Sequence, residues 1–292
     1  MRATILENPW IPHDPTPKQA EFLLMPDIEV LFGGSAGGGK SEALLMAALQ
    51  YVDVPGYAAI LFRRTYTDLA LPGALMDRAH EWLQGTEARW SEKNKTWTFP
   101  SGATLSFGYL ESENDKYRYQ SAEFQFIGFD ELTQFTETQY RYLFSRLRRL
   151  EGSKIPLRMR SASNPGGIGH EWVKQRFIVG GKPFVPASLD DNPYIDREEY
   201  IKSLMHLDPI TRQQLLKGDW TARETGNKFK REWFEIVDSY PADARLVRYW
   251  DLAATEPKSG KDPDWTAGAL MAEKDGIYYI IDIKRTRATP QG

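Results

Sequence analysis

The sequence predicts an α/β protein with a mostly parallel sheet, because short apolar strands alternate with helical segments along much of the chain. Residues 28–32 form an apolar run that ends at two glycines, which is typical of a buried strand. Residues 41–52 are rich in helix formers and apolar on nearly all sides, which predicts a buried helix. Further apolar runs at residues 57–62, 124–129 and 156–162 predict additional buried strands.

The remaining segments of this region are less regular. Residues 97–99 and 103–109 flank a Pro-Ser-Gly sequence and therefore predict a hairpin. Residues 136–149 predict a helix with Thr136 as its N-cap. Residues 195–216 are amphipathic, and Pro209 divides them into two short helices that we interpret as a small lid or linker.

The last part of the chain changes pattern. Residues 246–254, 265–272 and 277–283 predict three strands, and the Asp-Gly sequence at 275–276 favours a hairpin between the last two. A three-stranded meander without a covering helix is an incomplete domain. We therefore predict three regions, which are residues 1–187 for the parallel α/β domain, 188–243 for the lid or linker, and 244–292 for a partial third domain.

Composition excludes several classes of protein. The 292 residues include 37 basic and 40 acidic side chains, so a uniformly basic nucleic-acid binder is excluded, although a local basic face is not. Cysteine is absent, which excludes disulfides, thiolate nucleophiles and Cys-ligated zinc, and the four histidines show no HExxH spacing. The N-terminus lacks the apolar stretch of a signal peptide, and the apolar run at 43–52 is too short to span a membrane. These features predict a cytosolic protein with no membrane partner.

A glycine-rich loop follows the first predicted strand and matches the pattern G-x-x-x-x-G-K-[ST]. Its residues are Gly34, Ser35, Ala36, Gly37, Gly38, Gly39, Lys40 and Ser41. Glycines let backbone N–H groups converge on phosphate oxygens, and the following helix presents its positive end to the anion. The lysine would reach the β- and γ-phosphates, and the serine would ligate Mg²⁺. The alternative is a flexible glycine-rich turn, but a strand before the loop and a buried helix after it favour a phosphate site.

Asp130 and Glu131 follow another apolar strand, at the edge where open α/β sheets bind their ligands. Asp130 would hold the Mg²⁺ water shell, and Glu131 could orient and polarise an attacking water. An ordinary acidic turn after a strand would have the same sequence. The phosphate loop upstream favours the functional interpretation.

Three other features carry weaker signals. Asn164 ends the next predicted strand and could sense a γ-phosphate or the attacking water, although a simple Asn-Pro turn would explain it equally well. Gln19 precedes the first strand and could hydrogen-bond adenine, or lie on the surface. A basic run could contact phosphates or form a solvated face, and it comprises Arg141, Arg146, Arg148, Arg149, Lys154, Arg158 and Arg160.

The order of these motifs resembles the large terminase subunit of tailed bacteriophages. The segments that carry the resemblance are 34–41, 126–131, 163–165, 191–193, 218–220 and 249–253. The resemblance extends over essentially the whole chain. It implies an N-terminal P-loop ATPase domain of the ASCE/RecA-like type, a short lid, and a C-terminal RNase H-like nuclease.

The resemblance also implies residue roles. Lys40 and Ser41 would be Walker A residues, Asp130 the Walker B aspartate, Glu131 the catalytic glutamate, Asn164 part of the coupling motif, and Gln19 the adenine-contacting glutamine. Motors of this family use an arginine finger from a neighbouring subunit, for which Arg118 and Arg146 are the candidates. Because the sequence shows no obvious arginine of the same subunit near the phosphate loop, we expect ATP hydrolysis to depend on self-association.

Asp251 resembles the first metal-binding acid of the nuclease, within a predicted strand where a charge needs a partner or a metal. Asp264 is the better second contributor, whereas Asp282 is interpreted as a solvated strand-edge residue. The resemblance places the remaining acids beyond residue 292, which indicates a truncated chain. Two carboxylates cannot hold the paired Mg²⁺ or Mn²⁺ ions of a nuclease, so we expect this chain to hydrolyse ATP without cutting DNA.

The predicted function is therefore an ATP- and Mg²⁺-dependent motor that moves viral double-stranded DNA into a procapsid. The implied partners are double-stranded DNA, the portal protein, a small terminase subunit and further copies of the chain in a ring. The implied location is the host cytoplasm, with transient docking on the procapsid. A helicase or translocase of another P-loop family would need a second RecA-like domain, for which too few residues follow Gly218. A non-hydrolysing nucleotide-binding scaffold is the other alternative, against which the carboxylate of Glu131 argues.

Overall fold

A computed structural model describes residues 8–222, 233–252 and 265–286. The chain divides into two compact units, Met1–Arg223 and Glu224–Gly292. This division falls inside the region 188–243 that the sequence predicts as a lid or linker. None of the helices in the described ranges is both long enough and apolar enough to cross a membrane.

The first unit is built on an eight-stranded sheet in the order β3-β4-β5-β2-β6-β7-β1-β8. The strands are β1 Glu29–Gly34, β2 Ala58–Arg63, β3 Arg89–Ser91, β4 Thr96–Thr98, β5 Thr104–Tyr109, β6 Phe126–Asp130, β7 Arg158–Ser163 and β8 Phe184–Ala187. The pairs β3–β4 and β4–β5 are antiparallel, and the others are parallel. The mostly parallel α/β fold predicted from sequence is thereby confirmed.

Helices connect these strands. They are α1 Pro17–Leu24, α2 Lys40–Leu49, α3 Tyr66–Ala70, α4 Leu75–Leu83, α5 Glu137–Phe144, α6 His170–Val173, α7 Arg197–Leu204 and α8 Pro209–Lys217. A π-helical turn over Lys174–Val179 continues α6.

Both faces of the sheet are covered, because successive residues of a strand point to opposite faces. Val30 and Phe32 of β1 belong to one apolar cluster, which includes α2, whereas Leu31 belongs to a second cluster with Ile60 and Phe129. Helix α2 lies in the first cluster, and every residue from position 43 to 49 is fully buried. The predicted all-round apolar helix is thus confirmed, and the loop that precedes it is attached to a fixed element.

One predicted helix is too long. Thr136 caps α5 as expected, since its hydroxyl accepts a hydrogen bond from the Gln139 amide, but the helix ends at Phe144 rather than Arg149. The following residues instead extend the sheet, because Leu147 forms a parallel bridge with Phe124. Pairing with the chain that leads into β6 therefore overrides the local helix propensity of this segment.

Strands β3 and β8 were not predicted from the sequence. Strand β3 spans only Arg89–Ser91, which is too short to show a pattern. Strand β8 contains Pro186, which argues against a strand in sequence terms but is tolerated because β8 lies at the edge of the sheet.

The two short helices predicted at the lid are confirmed as α7 and α8. Asp208 caps α8 through its carboxylate, which accepts hydrogen bonds from two backbone amides, and Pro209 occupies the first helical position. Gly218 ends α8 in the left-handed conformation, with φ +62°.

The second unit contains a three-stranded antiparallel sheet in the order β11-β10-β9. Its strands are β9 Arg245–Asp251, β10 Thr266–Lys274 and β11 Ile277–Thr286. Asp275 and Gly276 both have positive φ at the β10–β11 turn, as the Asp-Gly sequence predicts. The predicted meander is confirmed for the described residues.

Candidate active site

The candidate site lies at the carboxyl edge of the parallel sheet. Strand β1 ends at Gly34, β6 ends at Asp130, and β7, which lies between them, ends at Ser163. Because parallel strands finish at the same edge, the loops that follow these three strands meet there.

The glycine-rich loop has a backbone that only glycine accommodates without strain. Gly34, Gly37 and Gly39 all have positive φ. A Cβ atom on Gly34 would lie 2.1 Å from the carbonyl oxygen of Ala187, and one on Gly37 would lie 2.8 Å from the Leu189 side chain. The loop is therefore packed against β8 and its following turn, and it leads directly into the N-terminus of α2, where unpaired N–H groups favour an anion.

Lys40 is buried at the start of α2, and its ammonium donates a hydrogen bond to the Ser35 carbonyl oxygen within the loop. Burial lowers the pKa of Lys40 from its usual 10.5 to about 8, against the opposing effect of the Glu131 and Asp130 carboxylates. Burial thus disfavours the charged ammonium, and a bound phosphate group would favour it.

Ser41 and Asp130 form the centre of a potential metal site. The Ser41 hydroxyl donates to Asp130 Oδ1 at 3.0 Å, and Asp130 is only 1% exposed. The hydroxyl and the carboxylate provide the oxygen ligands that Mg²⁺ prefers. They match the pair predicted from the sequence to hold this ion.

Arg63, at the end of β2, was not predicted from the sequence. Its Nε donates to Asp130 Oδ2 at 2.8 Å, so both oxygens of the aspartate are fixed. The signal that could have identified Arg63 is its position, since it follows an apolar strand that lies beside β6. A charged residue at that edge is placed to meet the carboxylate.

Glu131 has φ 54°, in the left-handed region that is uncommon for a residue with a side chain. Such backbone strain persists where the surroundings over-determine the conformation, and it is frequent at active sites. Burial and the neighbouring Asp130 raise the pKa of Glu131, against the opposing effects of Lys40 and Arg63 and a hydrogen bond from the Asn164 backbone. A carboxylate with a raised pKa is a better proton acceptor.

Asn164 lies beside Glu131, and its side-chain Oδ1 is buried without a hydrogen-bond donor among the described residues. A buried acceptor without a donor is costly, and a bound water or ligand would satisfy it. This orphaned oxygen supports the sequence prediction that Asn164 takes part in ligand recognition.

Lys40, Ser41, Glu131 and Asn164 line one cavity of about 570 Å³, which is within the usual range for small-molecule sites. Asp130 and Arg63 lie behind this lining and reach it through the Ser41 hydroxyl. Its lining comprises Ala36, Gly37, Gly38, Gly39, Lys40, Ser41, Glu42, Gly73, Arg78, Glu131, Asn164, Asn192, Tyr194, Ile195 and Tyr200. The structure thus brings together the loop, Glu131 and Asn164 and adds residues from the region predicted as a lid or linker.

Arg78 of α4 also lines the cavity, where its Nε lies 3.4 Å from Glu42 and its Nη1 lies 3.1 Å from Glu81. The expectation that no arginine of the same chain lies near the phosphate loop is therefore wrong. Sequence reasoning missed Arg78 because it lies in a helix remote from every motif, and only the packing of α4 beside α2 brings it to the loop.

Gln19 lies next to the phosphate loop, but its amide is already occupied. Its Oε1 accepts from the Thr16 amide at 2.9 Å as part of the α1 capping box, and its Nε2 donates to the Gly39 carbonyl at 2.9 Å. Gln19 is 2% exposed and does not line the cavity. In this conformation Gln19 supports the loop, so the alternative of a surface glutamine is wrong, and its contact with adenine stays a prediction.

The two candidate finger arginines lie outside the cavity. Arg118 pairs with Asp115 at 3.1 Å and lies over the Tyr109 ring. Arg146 lies over the Tyr142 ring and donates to the Gln120 carbonyl. Both are surface residues, which leaves them accessible to a neighbouring molecule.

The basic run at 141–160 does not form a single exposed face, which corrects that alternative. Arg158 and Arg160 lie in β7 and are buried. Arg160 donates to the backbone carbonyls of Met25 and Asp27, and burial lowers its pKa to about 9. These two guanidinium groups stabilise the fold beside the N-terminal end of β1.

The predicted nuclease acids are only partly described. Asp251 lies at the end of β9 rather than in its middle and is exposed, and its role as a metal ligand stays a prediction. Asp264 lies outside the described residues. Asp282, interpreted from sequence as a solvated residue, pairs with Arg248 at 2.6 Å. Within the described ranges no three His, Asp or Glu side chains cluster in a way that could hold a metal.

A parallel sheet with a phosphate-binding loop between β1 and α2 defines the class of P-loop NTPases. Within this class the chain belongs to the terminase large-subunit family, because the model of the T4likevirus-type N-terminal region of that subunit matches residues 31–236. This match confirms the resemblance found in the sequence. No curated protein matches the chain.

Several solved structures share the fold. The large terminase of a thermophilic bacteriophage has a TM-score of 0.59 at 14% identity over 94% of this chain and 69% of its own, and it has also been solved with ADP and with ATP-gamma-S. The bacteriophage HK97 large terminase has a TM-score of 0.57 at 12% identity over 97% of this chain and 67% of its own. The ATPase domain of the Thermus phage P74-26 large terminase has a TM-score of 0.51 at 16% identity over 72% of this chain and 96% of its own.

Proposed function

We propose that this chain hydrolyses ATP and uses the reaction to move viral double-stranded DNA into a procapsid. The observation that carries the proposal is the cavity that joins the phosphate loop, the strained Glu131 and the unpaired Asn164 oxygen. Membership of the terminase large-subunit family supports the biological role.

Each residue has a defined part in this proposal. The loop amides and the Lys40 ammonium bind the β- and γ-phosphates, which restores the charged form that burial disfavours. Ser41 and Asp130 hold Mg²⁺, which neutralises charge on the phosphates when it is bound. Arg63 keeps the Asp130 carboxylate in one orientation through its hydrogen bond to Oδ2.

Glu131 acts as the proton acceptor for the attacking water. Its raised pKa makes it a stronger base than an exposed glutamate, and the Asn164 backbone amide holds the carboxylate. The Asn164 side-chain oxygen accepts a hydrogen bond from the same water and so orients it toward the γ-phosphate. Arg78 supplies a second cation from the same chain.

The lid closes one side of the site. Asn192 donates to the Gly37 carbonyl at 2.7 Å, and Tyr194 and Tyr200 line the cavity beside it. Aromatic side chains at this mouth offer stacking surfaces for the nucleotide base. We therefore assign the base to the lid side of the cavity, with Gln19 supporting the loop beneath it.

The wider assignments follow from the family and remain part of the proposal. The partners are double-stranded DNA, the portal protein, a small terminase subunit and further copies of the chain in a ring, at a procapsid in the host cytoplasm. The antiparallel sheet of the second unit, with Asp251 at the end of β9, would belong to an RNase H-like nuclease that binds Mg²⁺ or Mn²⁺.

The test is ATP turnover by the purified chain, with and without double-stranded DNA. Glu131→Gln is expected to keep nucleotide binding and to lower turnover by about 10²–10⁴-fold, the usual contribution of a positioned general base. Lys40→Ala is expected to abolish turnover and weaken binding, because it removes the cation that faces the phosphates. Full turnover in either variant would exclude this assignment. Turnover that double-stranded DNA does not stimulate would argue instead for a nucleotide-dependent role without translocation.

A further inference from the structure

His170 at the start of α6 contacts two segments that are distant in sequence. Its Nδ1 accepts a hydrogen bond from the Gly166 amide at 2.8 Å, and its Nε2 lies 3.2 Å from the Trp220 carbonyl oxygen. Because an amide can only donate, Nδ1 carries no proton, so the proton of the neutral ring is on Nε2 and is donated to Trp220. The imidazole also packs on the Trp220 indole, with ring centroids 5.5 Å apart.

The His170 ring thus forms a bridge between Gly166 and Trp220. Its Gly166 end lies in the loop after β7, at the carboxyl edge of the sheet where the candidate site is. Gly166 lies two residues after Asn164 and has φ +106°. The same loop is attached to the turn that follows Glu131, because the Gly169 amide donates to the Thr133 carbonyl at 2.6 Å. A short segment therefore connects Glu131 and Asn164 to the His170 ring.

The Trp220 end belongs to the segment that closes the lid, and this segment contacts the phosphate loop. The Ala36 amide donates to the Leu215 carbonyl of α8 at 2.7 Å. A Cβ atom on Gly218 would lie 2.6 Å from the backbone of Gly34 and Ser35, so the two backbones are in direct contact. The bridge thus joins the loop after β7 to a segment that already touches the loop after β1.

We propose that His170 is a positioning residue that transmits the state of the nucleotide site to the end of the lid. When nucleotide or the attacking water provides the donor that Asn164 Oδ1 lacks, the 164–166 backbone shifts. The two hydrogen bonds of His170 carry this shift to Trp220, near the end of the first unit. The inference rests on the proposed ATPase function and adds a route by which hydrolysis would reach the rest of the chain.

Two substitutions separate the halves of the bridge. The side chain of His170→Asn has an oxygen near the position of Nδ1 but is too short to reach Trp220. That of His170→Gln extends to the position of Nε2 and can donate to Trp220, but it lacks the acceptor for Gly166. His170→Ala removes both bonds. His206→Ala, at an exposed histidine between α7 and α8, is the matched control.

The readout is hydrogen exchange of the 209–222 segment with and without a non-hydrolysable ATP analogue, together with kcat, KM and analogue affinity. In the parent chain and in His206→Ala, we expect the analogue to slow exchange in this segment. In all three His170 variants we expect this nucleotide-dependent difference to vanish and kcat to fall about 10-fold or more, on the scale of a small misplacement. The affinity for the analogue should stay within about 3-fold of the parent value, because His170 does not line the cavity.

A local structural role would give a different result. If His170 only stabilised the Gly166 turn, His170→Asn would behave as the parent chain. If it only anchored Trp220, His170→Gln would do so. Parent-like behaviour of either variant would contradict the proposed coupling through His170. So would a nucleotide-dependent difference in hydrogen exchange that persists in His170→Ala. If the parent chain itself neither binds nor hydrolyses ATP, the proposed function fails instead, and the two failures are distinguished by that first measurement.

Discussion

At the scale of single residues, the site buries two opposite charges, Lys40 and Glu131, and burial disfavours the charged form of both. Burial makes the ammonium of Lys40 easier to deprotonate, while Glu131 beside it has a raised pKa. Both shifts have the same main cause, which is removal from water. A bound phosphate would favour the charged form of Lys40, and an attacking water would give Glu131 a hydrogen-bond donor.

Nucleotide affinity is therefore expected to depend on pH through Lys40. In the free protein its pKa is about 8, and phosphate binding favours the charged form, so affinity should weaken as the pH rises through about 8. Each further pH unit should weaken binding by up to about 10-fold while Lys40 must be protonated on binding. Titrations of ADP from about pH 7 to 9.5, a range that brackets this pKa, measure the effect, and Glu131→Gln removes the second titrating group.

Lys40→Arg is the control, since a guanidinium stays charged throughout this range. An equal pH dependence in Lys40→Arg would contradict the assignment.

The lowered pKa of Lys40 also affects folding stability, since the unfolded chain binds this proton more tightly than the folded chain. Lys40 therefore lowers stability below about pH 8, and this penalty disappears as the pH rises from about 8 toward 10.5.

Arg78 provides a second test at this scale. Arg78→Ala removes a cation from the cavity, and a charge-assisted hydrogen bond of about 1.5–3 kcal/mol corresponds to an ADP affinity about 10- to 150-fold weaker. Arg89→Ala, which removes an exposed arginine from β3, is the matched control for the change in net charge. Equal ADP affinities in the two variants would show that Arg78 serves only its ion pairs with Glu42 and Glu81.

At the scale of elements, helix α8 contacts the phosphate loop directly, since the Ala36 amide donates to the Leu215 carbonyl at 2.7 Å. Its C-terminal Gly218 combines a positive φ with direct contact to the backbone of Gly34. Both conditions exclude a side chain, so the sequence at this position sets how closely the lid approaches the loop.

Gly218→Ala is expected to lower both stability and ATP turnover. Gly181→Ala is the control, because Gly181 has a similar φ of +72° but open space around it. The backbone strain alone should cost about 1 kcal/mol in the control, whereas displacement of α8 adds about 1–3 kcal/mol at Gly218. Urea unfolding measures the difference. Equal losses in the two variants would show that α8 has room to adapt.

Some elements could be predicted from the sequence and others could not, according to whether their stabilising contacts are local. Strand β1, helix α2 and strand β6 have apolar patterns that are complete within their own residues. Helix α5 ends early because Leu147 pairs with Phe124, a contact that no local pattern contains. Local periodicity therefore predicts an element except where tertiary pairing competes with it.

The site follows the same rule. The loop, the acidic pair and Asn164 lie at strand ends, where the sequence marks them by residue type and position. Arg63 also lies at a strand end, whereas Arg78 and His170 reach the site or its surroundings through packing, and the contact from His170 to Trp220 spans fifty residues. Such contacts leave no spacing in the sequence because neither partner needs to be near the other along the chain.

At the scale of the whole molecule, the arginines divide between one in the cavity and two candidates outside it. Arg78 lines the cavity, whereas Arg118 is 52% exposed in the ion pair that it forms with Asp115. A neighbouring copy could therefore supply Arg118 or Arg146 across a subunit contact.

We expect specific ATPase activity to rise with protein concentration as copies associate. Mixing Arg118→Ala with Lys40→Ala should restore activity, since the first variant keeps an intact phosphate loop and the second keeps an intact arginine. The same mixture with Arg146→Ala tests the other candidate. A rate that is independent of concentration in a monomeric protein would instead assign the second cation to Arg78 alone.

The burial of helix α2 has a mechanical consequence for the proposed motor. Each residue from position 43 to 49 is fully enclosed, so the helix cannot slide or rotate without opening the core. In the proposed motor, the glycine-rich loop before α2 would therefore be the stationary part, comparable to a stator. Any stroke must be delivered by segments that rest against this frame from outside, and helix α8 and the loop after β7 are two such segments.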